Sequence, residues 1–129
     1  EIGYPVLNPT VISEYGMRED AEGRMEMNYG IDLAVEAGSP VRAVLAGRVT
    51  RLEDYDGSGM AVMLDHGNGL STYYARLEEV NLKENDTVKA GDYIGKVFSG
   101  DAEGNTSFLH FEVWVDGRPV NPREALTGN

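Results

Sequence analysis

Phe108-Leu109-His110-Phe111-Glu112-Val113-Trp114-Val115 alternates between two faces, the period of a β-strand. Successive side chains of a strand point to opposite sides. Leu109, Phe111 and Val113 therefore share one side, which is the expected core side. Phe108, His110 and Glu112 share the other. A histidine and a carboxylate on one exposed strand face mark a candidate site.

The rest of the chain reads the same way. Ile31-Asp32-Leu33-Ala34-Val35 is a second strand candidate, and Asn28, Gly30 and Asp32 share a face if the strand begins that early. Glu36 to Pro40 turns the chain into Val41-Arg42-Ala43-Val44-Leu45. Arg48-Val49-Thr50-Arg51-Leu52 alternates polar and apolar residues. Asp56-Gly57 and Asp116-Gly117 are hairpin signals. Met60 to Asp65 is an apolar strand, His66-Gly67-Asn68-Gly69 a turn, and Leu70 to Leu77 a strand rich in good strand formers. Tyr93 to Val97 is a further strand, and Ser99 to Ser107 a polar loop. Residues 19–27 are mostly charged or glycine and read as an exposed loop. Arg123 to Leu126 allows a short terminal helix at most. No apolar stripe of helical period persists beyond a turn or two. The expected fold is all-β, a compact antiparallel sandwich or half-barrel in one domain over residues 1–129.

Composition narrows the function. The chain has 129 residues, 41% hydrophobic and 26% charged, as expected of one globular core. It has no cysteine, which excludes disulfides, thiol catalysis and Cys-ligated zinc. The formal net charge of −11 repels nucleic acid and anionic membranes. No run approaches the ~20 apolar residues of a membrane helix. No nucleotide-binding glycine motif, nucleophile elbow or EF-hand spacing occurs.

Asn28-Tyr29-Gly30-Ile31-Asp32 and Phe108-Leu109-His110 together resemble the two metal-binding strands of the LytM/lysostaphin-type peptidoglycan metallopeptidases. In that family the motifs read His-x-Gly-x-Asp and His-x-His. The resemblance extends over residues 5–126. It includes Val11 to Arg18, Gly38-Ser39-Pro40-Val41, Ala46-Gly47-Arg48-Val49, Asp65 to Leu77, Val88 to Gly95 and Val120-Asn121-Pro122. Any one segment is weak; their order makes the signal strong.

The resemblance implies five site positions. The zinc ligand positions are Asn28, Asp32 and His110. The catalytic positions are Arg76 and Phe108. Tyr74, Arg76 and Phe108 would line a binding groove with Asn28, Asp32 and His110. Three of the five positions are substituted, and each change removes a function. Asn28 offers a neutral amide where zinc prefers imidazole, thiolate or carboxylate. Phe108 neither ligates nor accepts a proton. Arg76 cannot act as a base. At ~5 Å and an effective dielectric of about 20, its charge repels a dication by roughly 6–7 kcal/mol before screening. Asp32, deprived of a metal, needs another cation, and Arg76 is the expected partner. Taken singly, each of these residues is an ordinary structural one.

The resemblance therefore implies no catalytic residue, no zinc and no other cofactor. It implies a non-catalytic binding or scaffold domain of the bacterial cell envelope, outside the cytoplasm, in the C-terminal part of a longer anchored or secreted chain. Degenerate relatives of this kind activate cell-wall amidases or form part of the sporulation channel between mother cell and forespore. The expected partner is another envelope protein or peptidoglycan. The rival expectation is a zinc-dependent peptidoglycan endopeptidase with an unusual ligand set, drawing a replacement ligand from Glu26, Glu112 or a loop.

Overall fold

The computed structural model describes residues 2–100 and 106–127. Its strands are β1 (Ile2–Gly3), β2 (Thr10–Ser13), β3 (Gly16–Glu19), β4 (Met25–Asn28), β5 (Ile31–Ala34), β6 (Pro40–Arg42) and β7 (Gly47–Asp54). They continue as β8 (Met60–Gly67), β9 (Leu70–Glu78), β10 (Thr87–Val88), β11 (Tyr93–Val97), β12 (Phe108–Val115), β13 (Arg118–Val120) and β14 (Leu126–Thr127). A 3₁₀ turn, Pro122–Glu124, stands where a terminal helix was allowed. Of the loop expected over Ser99 to Ser107, residues 101–105 lie outside the described residues.

Short-range turn chemistry sets the hairpins. Asp56 and Gly57, Asn68 and Gly69, and Asp116 and Gly117 all have positive φ. That is the backbone a two-residue hairpin turn needs to match the twist of its flanking strands. These turns fold β7 onto β8, β8 onto β9, and β12 onto β13, each pair antiparallel.

The main sheet runs β10-β7-β8-β9-β12-β5-β2, with β11, β6 and β13 attached at its margins. Consecutive hairpins account for its left half. Its right half is long-range: β12 inserts between β9 and β5. The all-β architecture is as expected, and the sheet does not close into a barrel. One pairing departs from the antiparallel rule, since β1 lies parallel to β14 and brings the described ends together. No helix among the described residues is long and apolar enough to cross a membrane.

The alternation of β12 holds: Leu109, Phe111 and Val113 are fully buried. They pack with Ile31, Leu33, Val62, Leu64, Tyr74 and Leu77 in one apolar core. Tyr74, proposed above as a groove residue, belongs to this core. It is fully buried, its ring lies 5.3 Å from that of Phe111, and its hydroxyl accepts from the Val44 amide at 3.1 Å.

His66 has more than a turn to hold. Its Nδ1 lies 2.7 Å from the Ala46 carbonyl, which can only accept, so Nδ1 carries the proton. Its Nε2 lies 2.7 Å from the Thr72 hydroxyl, itself 2.8 Å from the Tyr74 hydroxyl. One polar chain thus ties β8, β9 and the 44–46 segment together. Tyr74→Phe strips this chain of its inner end and is expected to cost about 1–2 kcal/mol, measured by urea unfolding.

Residues 19–27 are not a loop throughout. β3 and β4 form a separate two-stranded arm, with Met17 opposite Met27 and Arg18 opposite Glu26. The charges that suggested a loop lie at its turn and on its flanks.

Candidate functional site

Strand order brings the site together. β12 places His110 directly opposite Asp32 of β5 and Ala75 of β9. Phe108 and Glu112 flank His110 on the same face. Asn28 enters from the last position of the arm, not from the strand carrying Asp32. Between them the chain bends at Tyr29-Gly30. Gly30 is required there, because a Cβ would lie 2.1 Å from the Phe111 carbonyl oxygen.

Arg76 reaches the site through a β-bulge. Met60 faces Leu77 and Ala61 faces Ala75, so Arg76 is the extra residue between them. Its φ of 73° is in the left-handed region, uncommon for a residue other than glycine. Strict alternation would send residue 76 into the core after Tyr74. The bulge turns it into the groove and returns Leu77 to the core.

A cavity of about 250 Å³ results, lined in part by Asn28, Asp32, Arg76, Phe108, His110 and Glu112. Five of the six proposed groove residues thus meet there, and Tyr74 does not. Arg18, Tyr55 and Glu112 line it as well. Of these, only Glu112 carried a signal in the sequence, its strand face shared with His110.

The floor is a closed ion cluster. His110 Nδ1 lies 2.7 Å from Asp32 Oδ1, and His110 Nε2 lies 2.7 Å from Glu112 Oε2. The other Glu112 oxygen accepts from Trp114 Nε1 at 2.7 Å. The other Asp32 oxygen faces Arg18 Nη1 at 3.4 Å. Arg18 also bonds the Ser13 hydroxyl and pairs with Glu26 at 2.9 Å. Burial, the strongest single influence, would lower the His110 pKa. Hydrogen bonds and charge from Asp32 and Glu112 together outweigh it and raise the value to about 9. His110 is therefore an imidazolium at neutral pH, with both ring N–H groups donating. The Tyr55 ring stacks over it at 6.0 Å between centroids and 22° between planes.

The expected Asp32–Arg76 ion pair gives way to this arrangement. β12 separates β9 from β5, and two strand spacings amount to about 10 Å. His110 stands in the intervening strand and takes the Asp32 carboxylate. Arg76 instead donates from Nε to the Phe108 carbonyl at 3.1 Å, and its guanidinium carbon lies 3.9 Å from the Phe108 ring centroid. The two substituted catalytic positions thus contact each other. Cation–π pairing of this kind, once desolvated, contributes about 0.5–2 kcal/mol. A double-mutant cycle on Arg76→Ala and Phe108→Ala, read by unfolding free energy, is expected to give a coupling of about that size.

Asn28 is committed elsewhere. Its amide donates to the Glu14 carbonyl at 3.0 Å and to Ser13 Oγ at 3.2 Å, and its oxygen accepts from the Gly30 amide at 3.2 Å. A catalytic zinc needs three protein donors converging on one point, with a further position open. The donors here do not fit that need. Asn28 is a poor donor already engaged, and both His110 nitrogens face carboxylates. No three His, Cys, Asp or Glu side chains among the described residues converge as a metal-holding group.

Residues 26–122 match the model of Peptidase family M23. The chain belongs to this family. This M23 chain is 36% identical over 120 residues to the DD-carboxypeptidase/endopeptidase Mpg of Neisseria meningitidis serogroup B, across 92% of the chain and 27% of that protein. It is 39% identical over 101 residues to stage II sporulation protein Q of Bacillus subtilis, across 74% of the chain and 35% of that protein. Its structure matches the SpoIIQ–SpoIIIAH pore forming complex with a TM-score of 0.78 and 29% identity, across 98% of the chain and 90% of the matched chain. The chain spans about a third or less of the length of these two curated relatives. M23 membership thus embraces proteins named as peptidases and one named for sporulation. What separates them for this chain is the chemistry of its groove.

Proposed function

We propose that this M23 domain is a non-catalytic binding and scaffold module of the bacterial cell envelope, acting outside the cytoplasm as part of a longer chain. The observation that carries the proposal is His110 held between Asp32 and Glu112, one ring nitrogen 2.7 Å from each carboxylate. The two remnant ligand side chains neutralise each other, with Glu112 completing the cluster. Where an active relative would need a metal to lower the pKa of an attacking water, this chain places a proton shared with carboxylates. The positions that would move protons are a guanidinium and a phenyl ring. Neither is a base at physiological pH.

The likeness to stage II sporulation protein Q supports a role in a sporulation channel over one in activating wall hydrolases. The partner on this reading is a second envelope protein, with peptidoglycan as the other candidate ligand. The likeness to Mpg supports the rival, a zinc endopeptidase. That rival needs a replacement ligand from Glu26, Glu112 or a loop; both Glu112 oxygens are engaged, and Glu26 is paired with Arg18 at 2.9 Å.

The deciding assay incubates the purified domain with sacculi, with and without added zinc, and follows soluble peptide release. No release is expected under either condition. Release that zinc supports and EDTA stops would overturn the proposal. Co-sedimentation with the same sacculi separates peptidoglycan binding from protein binding.

A further inference from the structure

The β3–β4 arm carries a feature that the ion cluster does not explain. Opposed residues of an antiparallel pair share a face. Arg18, Glu26, Gly16 and Asn28 form the inner face, and through Arg18 and Asn28 this face is tied to Asp32, Ser13 and Glu14. Met17, Met27, Met25 and Glu19 form the outer face. Met17 is 62% exposed and Met25 58% exposed, with Tyr29 at 50% just beyond. Three of the five methionines of the chain thus stand side by side on a two-stranded arm, Met17 and Met25 exposed and Met27 half-buried at the cavity wall. A hairpin of two strands is marginal by itself, and exposed methionines are adaptable contacts. Bare apolar surface on such an element marks a contact site.

Charge says what covers it. The arm holds four acidic and two basic residues, and both arginines are engaged, Arg18 with Glu26 and Asp32, Arg24 with Asp20 and Glu22. Met27 and Tyr29 wall the cavity together with Tyr55, which follows Glu53 and Asp54 and precedes Asp56. The methionine face is therefore bordered by carboxylates on the arm and across the groove. A second copy of this chain, also at −11, is repelled. We propose that the methionine face of the arm, continuous with the groove rim, docks a basic segment of a partner protein, one that alternates cationic and apolar residues. The inference rests on the binding role proposed above and adds the chemistry of its partner.

Methionine methyl NMR tests it, because Met60 and Met63 on β8 serve as internal controls. The domain, labelled with ¹³C at its methionine methyls, is titrated with a synthetic peptide of alternating lysine and leucine, then with the same peptide carrying glutamate for lysine. Saturable shifts of Met17, Met25 and Met27, with Met60 and Met63 still, are expected for the lysine peptide alone. Met17→Gln and Met25→Gln lie on solvent, add no charge and leave the control signals in place, and each is expected to weaken binding about tenfold. Equal response to both peptides, parallel movement of all five methyls, or no saturable shift by about 1 mM peptide overturns the proposal. Arm shifts that follow protein concentration without peptide identify a second copy as the occupant and overturn it too. Peptide release from sacculi would defeat the non-catalytic reading without moving these signals, so the two failures are distinct.

Discussion

Replacing His110 with alanine is expected to destabilise the domain by about 3–5 kcal/mol, the range for breaking a buried ion pair from one side. The substitution leaves Asp32 and Glu112, both nearly buried, facing an empty space with one cation fewer between them. Arg18 reaches Asp32 only, at 3.4 Å, and cannot serve Glu112. The loss belongs to the uncompensated charges more than to the missing ring. Unfolding in urea separates the two causes. In an Asp32→Asn, Glu112→Gln background, His110→Ala is expected to cost less than half as much. An equal loss in both backgrounds would mean that packing of the imidazole, and not its charge, holds the site.

Stability is expected to fall as pH rises through the alkaline range. The His110 pKa goes from an ordinary 6.5 to about 9 in the folded chain. A group whose folded value is raised binds its proton more tightly folded than unfolded. Its contribution is therefore complete below about 6.5 and disappears as pH climbs through about 9. A shift of this size corresponds to roughly 3 kcal/mol. Chemical denaturation from pH 6 to pH 10 reads it directly. His110→Gln, which keeps hydrogen-bonding capacity but has no titrating ring, should flatten the profile. A slope in the wild-type chain that survives in this variant would assign the effect to another group.

Much of this was legible in the sequence, and the parts that were not have physical reasons. β12 was readable because one face is apolar without interruption. The Asp-Gly and Asn-Gly hairpins were readable because positive φ at adjacent residues restricts residue choice. The convergence of Asp32 and His110 was accessible only through the ordered family resemblance, since no periodicity says which strands are neighbours. Residues 19–27 of the arm read as a loop because their charges mask a short alternation that packs on one side only. Arg76 shows the clearest limit. Its direction depends on a bulge, which is a property of two strands in register and not of either alone. Asp32 pairs with His110 instead of Arg76 for a related reason. Charge complementarity made Arg76 plausible, but a directly opposed residue on the adjacent strand precedes any residue two strands away. Tyr74 is a groove residue by the resemblance alone. Strand alternation ahead of the bulge puts it in the core.

The fold and the groove thus belong to peptidase family M23, while the side chains within the groove satisfy one another. On the reading proposed above, such a site is expected to bind a dication weakly, because binding one would first require displacing a proton and separating two short charge-assisted bonds.

The most direct measurement is ¹⁵N NMR of the His110 ring at pH 7, recorded before and after one equivalent of zinc. The account predicts two protonated ring nitrogens, with signals unchanged by the metal. A ring that is neutral beforehand, or that loses a proton and shifts stoichiometrically with zinc, would contradict it.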